Sequence, residues 1–206
     1  MTNNTRLPLL GRALALAGTL SNVAVWVGGA LTLASVALIC FEVIARKFLG
    51  FTLSGADELS GYAFAISTSW ALAFAAINRA NVRVDAIYQR LPVRAAAVLD
   101  WIALVATAVF MVYLTRYAAD VAMQSWQQQS SANTPLATPL WIPQGLWVLG
   151  LAWMCIVLAL MLVRACCALV TGDLAALQRL CGVRSAQEEA EEEAAAGARI
   201  IEGERA

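Results

Sequence analysis

Few side chains in this sequence could do chemistry, and what is missing decides more than what is present. Histidine is absent, which removes bis-histidine haem ligation, histidine general-base catalysis and the usual zinc sites together. The five cysteines, Cys40, Cys155, Cys166, Cys167 and Cys181, form no C-x-x-C pair. They read as reduced thiols that act mostly as small hydrophobes, four of them in or after the last apolar run. A thiol oxidoreductase would need paired cysteines on the oxidising side of a membrane, and these are not so placed. The expectation is therefore a protein that is not an enzyme, with no catalytic residue, no metal and no cofactor.

The charged pairs that remain have structural explanations. Glu42 and Arg46 stand four apart, so both can lie on one helix face and pair near the headgroups, a contact worth about 0 to 1 kcal/mol at a surface. Asp57 and Glu58 follow Ser54 in a variant of the capping box, and two acids in a first turn favour the helix macrodipole. Their functional alternative is a salt bridge to a neighbouring subunit. Asp100 and Arg116 flank an uncharged centre and need only snorkel to reach water.

The elements that must hold these groups are set by hydropathy. Of 206 residues, 61% are hydrophobic and 14% charged, with mean hydropathy +0.69, and uncharged runs of about twenty residues identify membrane-spanning helices. Four spans are expected, at about 20–41, 59–77, 95–117 and 140–163, giving an all-α integral membrane protein with a four-helix domain over 20–165. Residues 1–19 carry Arg6 and Arg12 and are expected to lie in the cytoplasmic interface, 7–19 as a short separate helix against membrane lipid. The first span is too long for the apolar part of a signal peptide and is taken as uncleaved. The segment from Gln124 to Gln144 is polar, proline-rich and expected to be a loop. Trp141 and Trp147 stand where an aromatic belt would lie, and Pro143 falls near a helix start where a missing N–H costs least. Residues 166–206 are expected to be cytoplasmic, ending in a low-complexity acidic tail that holds seven of the fourteen acidic residues.

Within the second span, Gly61, Ala65, Ser69 and Ala73 recur every fourth residue and make a stripe of small side chains where another helix can approach closely. Ser67 and Thr68 can hydrogen-bond back to their own helix or across it. Between the second and third spans, NRANVRVDAIYQRLPVR (78–94) concentrates four arginines. By side, Arg6, Arg12, Arg79, Arg83, Arg90, Arg94, Arg164, Arg179 and Arg184 face Arg46, Lys47 and Arg116, so the basic-residue bias places both termini in the cytoplasm. Nothing in this pattern calls for a nucleic-acid partner.

Three stretches, in order and between spans, resemble the small membrane subunit of tripartite ATP-independent periplasmic (TRAP) transporters, the DctQ family. RKFLGFTLSGADELSGY (46–62) is similar to the family's arginine, glycine-containing link and E-L leading to an aromatic residue. NRANVRVD (78–85) is similar to its arginine, histidine and V-x-V-D ending, with Asn81 in place of the histidine. PLWIP (139–143) is similar to its P-L-x-I-P before the last span. The resemblance covers roughly residues 20–165.

It implies a small permease subunit of a sodium-driven transporter for organic anions of the carboxylate class, in the bacterial inner membrane. The implied partners are a large multi-span membrane subunit, which this chain would brace, and a periplasmic solute-binding protein. Glu42, Arg46, Glu58, Gly61, Ala65, Ser69, Arg79, Asn81, Asp85, Pro139, Trp141 and Pro143 would then serve as structural or subunit contacts, Asn81 by hydrogen bonding or packing and not by titration. The four span centres carry no charge, which agrees with support over transport. A stand-alone four-helix exporter is the alternative, and Glu42 would be its only coupling carboxylate.

Overall fold

The computed structural model describes residues 7–80 and 92–172, together with Leu180 and Ala194. Four helices carry the chain: α1 (Leu7–Leu49), α2 (Ala56–Ile77), α3 (Val93–Gln127) and α4 (Trp141–Thr171). Each is long and apolar enough to cross a membrane, as the hydropathy requires. The expected spans fall inside them, but α1, α3 and α4 run further than the apolar cores alone suggest.

The largest difference is at the N-terminus. Residues 7–19 are not a separate interfacial helix; they continue without a break into the span, so α1 has 43 residues. Gly11 and Gly18 interrupt nothing, because helix propensity is a weak prior and strong formers surround them. At 1.5 Å per residue α1 measures roughly 64 Å, about twice the hydrocarbon thickness of a bilayer.

The helices pack in a row rather than as a closed bundle. α1 lies along α2, α2 along α4, and α4 along α3, while α1 touches α4 only over a short stretch. Every seventh residue of α3 is buried, namely Ala97, Leu104, Met111, Ala118 and Ser125. α4 answers with Leu151, Leu158 and Ala165, interleaved with Met154 and Met161. This 3.5-residue period is the seam of an antiparallel coiled coil. Asp100 lies on the α3 side of it and is 2% exposed; it is interior, and the expectation that it reaches the headgroups is corrected.

α2 is held by small residues on two sides. Gly28 of α1 lies so close that a Cβ there would stand 3.3 Å from Ser67 Cα, and Ser67 donates to the Gly28 carbonyl (2.9 Å) as well as to Ala63 of its own helix (2.7 Å). On the other side, a Cβ on Gly150 of α4 would stand 2.5 Å from Ser69 Oγ and 3.0 Å from its carbonyl carbon. The expected stripe therefore divides: Ser69 and Ala73 are buried, Ala65 is half-buried, and Gly61 is exposed with nothing within 4 Å of a Cβ.

The connections are ordered by backbone geometry. Ser54 and Asp57 do not form a capping box; the N-cap of α2 is Gly55, at φ 108°, with no side-chain cap. Leu136 packs on that glycine, its Cδ1 2.8 Å from where a Cβ would be. α2 ends with Arg79 at φ 54°, its N–H on Ala76 O (3.2 Å) and that of Ala80 on Ala75 O (2.9 Å), the paired bonds of a Schellman cap. α3 ends likewise at Gln129. Pro92, in extended backbone at ψ 145°, is the N-cap of α3.

These distances rank three substitutions. Gly150→Ala forces two backbones apart and is expected to destabilise the chain by about 1–3 kcal/mol. Gly28→Ala costs less, because its neighbour needs to give only a few tenths of an ångström, and Gly61→Ala is neutral or mildly stabilising. Thermal unfolding of the three variants in one detergent checks the order; equal midpoints for Gly150→Ala and Gly61→Ala would contradict the α2–α4 contact.

Candidate functional site

No span encloses a polar chamber among the described residues; the polar groups gather at one end of the row and at the helix contacts. That end is where α1 finishes, α2 begins, and α3 joins α4. The connection, expected as a surface loop over 124–144, is helical to Gln127 and then forms a small hairpin. Leu140 N–H bonds Ser130 O (3.0 Å), Ala132 N–H bonds Thr138 O (2.9 Å), and Ser131 bridges Pro139 in antiparallel fashion. Ala137, at φ 47°, closes the tip with its N–H on Thr134 O. At the hairpin base Trp126 meets Trp141 edge to face, with centroids 4.6 Å apart.

Glu58 fastens this hairpin to α2. Its carboxylate accepts from the hydroxyl of Thr134 at the hairpin tip and from Tyr62 one turn along α2 (2.8 Å). Together with Leu136 on Gly55, it clamps the start of α2 to the connection between α3 and α4. Asp57 is exposed, and its backbone carbonyl accepts from Ser60 (2.9 Å). Of the two acids, one is a staple within the subunit.

Glu42 and Arg46 do pair as their spacing predicts, the guanidinium donating to Glu42 Oε1. The pair is lopsided: the Glu42 side chain is 5% exposed and that of Arg46 57%. Glu42 lies on the buried line of α1 with Ser21 and Gly28, at seven- and fourteen-residue spacing. Arg46 offsets the Glu42 charge from the exposed side. Pro143 is buried in the first turn of α4, and Pro139 is exposed in the hairpin. Arg79 lies at the opposite end, where it caps α2 and makes a further interaction. Asn81 and Asp85 lie outside the described residues.

Sequence reasoning missed several contacts that set this geometry. Trp70 donates to Leu146 O (3.1 Å) and Trp153 to Ser21 Oγ (3.0 Å), tying α2 to α4 and α4 to α1. Thr115 and Cys155 meet across α3 and α4 at 3.2 Å. The glycine–serine pairs 28/67 and 150/69 are separated by 39 and 81 positions, so no local pattern joins them. Gln144 Oε1 and Trp101 Nε1 are buried with no hydrogen-bond partner among the described residues.

With this geometry in view, comparison with known families is decisive. The family model described as "Tripartite ATP-independent periplasmic transporters, DctQ component" matches residues 35–168. The chain belongs to the DctQ family. No curated protein and no solved structure matches it. A DctQ chain is a transporter component, not an enzyme, and this one is a small permease subunit of a TRAP transporter. The family works with a large TRAP membrane subunit and a solute-binding protein. The matched region opens within α1 and closes near the end of α4, so it contains the Glu42–Arg46 pair, the α2 staple and the whole hairpin of this DctQ chain.

Removing the staple should loosen the hairpin without loosening the row. In Glu58→Ala, amide hydrogen exchange over residues 130–140 is expected to rise severalfold while the α3–α4 seam keeps its protection. Thr134→Val should reproduce part of the effect. Unchanged exchange in the hairpin would show that Leu136 on Gly55 is sufficient alone.

Proposed function

We propose that this chain braces the large subunit of a sodium-driven importer of organic anions of the carboxylate class, in the bacterial inner membrane, with both termini in the cytoplasm. What carries the reading is that most in-span polar groups of the described residues are spent on contacts within the chain, Trp101 Nε1 and Gln144 Oε1 excepted. Ser21, Ser67, Ser69, Trp70 and Trp153 are engaged in contacts between or within helices, and Glu42 is held by Arg46. A protein that carries its own solute needs uncommitted polar or ionisable groups along a path. Here the design is a rigid row of helices.

The outward face of that row supports a partner of the same kind. α1 and α3 are the edges, and both present long apolar faces, including Phe41, Ile44 and Phe48 on α1 and Phe110, Tyr113 and Tyr117 on α3. Arg46 and the open Gly61 notch supply a polar point and a close-packing point near the hairpin end. Asn81, Asp85, Arg79 and the rest of the basic loop are assigned to the cytoplasmic side of the same contact. Solute choice then belongs to the large subunit and the binding protein.

Deleting the gene for this chain should abolish sodium-dependent uptake by the system, and tagging the chain should retrieve a much larger membrane protein. Arg79→Glu and Arg83→Glu are expected to reduce that recovery while leaving the relative uptake of competing solutes unchanged. Undiminished uptake in the deletion strain, or altered solute preference with full recovery of the complex, would overturn the bracing role. Uptake or efflux by the purified chain alone in vesicles would establish the exporter reading instead.

A further inference from the structure

The row leaves a cleft where α1 diverges from α2 and α4. Its volume is about 570 Å³, and it is lined by Leu20, Ala24 and Val27 of α1, Trp70 of α2, and Leu146 and Trp153 of α4. Two contacts fix its shape. Ser21 receives the Trp153 N–H at one point, and Gly28 abuts Ser67 one heptad further along. Both indoles are tethered by their nitrogens, so neither can swing in to fill the space, and neither has a donor left to offer. The cleft therefore selects for hydrocarbon alone, and it opens to the side, toward the bilayer.

The basic residue about two turns before the cleft on α1 names the molecule that supplies the hydrocarbon. Arg12 is exposed, has no ion pair among the described residues, and lies on the face of α1 that also carries Leu16, Leu20, Val23 and Val27. It stands eight residues before Leu20, roughly 12 Å along the axis from the near end of the cleft. Anionic lipids are enriched on the cytoplasmic side; placing Arg12 there rests on the proposed orientation. We propose that this cleft is a binding site for one acyl chain of an anionic phospholipid whose phosphate is held by Arg12. A resident lipid of this kind fills the wedge between α1 and α4 that the chain's own side chains leave open.

The test uses the full chain, with any membrane subunit that copurifies, in nanodiscs containing chain-brominated phosphatidylglycerol or, at the same mole fraction, chain-brominated phosphatidylcholine. Bromine quenches nearby indoles, and Trp70 and Trp153 line the cleft. Stronger quenching by the anionic lipid is expected. Ala24→Phe, which fills the cleft, should abolish the difference between the lipids, and Arg12→Gln should equalise the two headgroups while some quenching persists. Circular dichroism checks that Ala24→Phe is folded; if it is not, Val27→Phe at the rim takes its place. Nanodiscs present the same lipid on both faces, so the outcome is independent of the orientation proposed above. Equal quenching by both lipids, insensitive to either substitution, would overturn the proposal. So would shielding of these indoles from both lipids in a copurified complex, which would show a partner helix in the cleft.

Discussion

In hydrocarbon, two apolar helices gain nothing by leaving lipid for each other, so association must come from close van der Waals approach and polar contact. The row depends on one helix that meets this constraint on both sides. α2 is the shortest of the four, at 22 residues, and it carries serines where its neighbours carry glycines. Ser67 reaches the backbone of α1 at Gly28, and Ser69 lies against Gly150 of α4. α3 and α4 solve the same problem differently, with a heptad seam of alanine, leucine and methionine. The first solution brings backbones together and the second interlocks side chains.

Much of this was legible before any coordinates. Hydropathy located four helices because a span without internal hydrogen bonding is untenable in lipid, and that rule has few exceptions. The i,i+4 spacing of Glu42 and Arg46 dictates their pairing, and a serine at 67, inside an apolar span, needs an acceptor on its own helix or the next, which Ala63 and Gly28 supply. What could not be read was distance in sequence. Nothing local tells Gly150 that its partner is Ser69, or Glu58 that Thr134 will return to it 76 positions later. The capping box failed for a related reason: Ser54 and Asp57 fit the pattern, but the chain turns through a left-handed Gly55, where Leu136 can close over it. The seven-residue period of α3, from Ala97 to Ser125, was present in the sequence and is obscured there by the many other alanines and valines of the same helix.

The family motifs acquire physical meaning in this frame. The link into α2 and the hairpin that leads to PLWIP are two halves of one clamp: Gly55 and Glu58 on one side, Leu136 and Thr134 on the other. The basic segment has a second duty at its first arginine, since Arg79 occupies the left-handed position of a Schellman cap. Such a position favours glycine. Holding an arginine there trades some backbone ease for a charge at a fixed place.

The pattern of contacts also bears on how the chain comes together during synthesis. α1 with α2, and α3 with α4, are two antiparallel helical hairpins, joined face to face almost wholly along α2 and α4. Every helix closes its own backbone hydrogen bonds, so each hairpin is already at home in lipid before it meets the other. The two halves share one main seam, along α2 and α4. That seam is sealed in the membrane by Ser69 on Gly150 and Trp70 on Leu146, and beyond it by Glu58 on Thr134. A subunit built this way is joined through its middle, where Gly150 and Ser69 bring the two halves into their tightest contact.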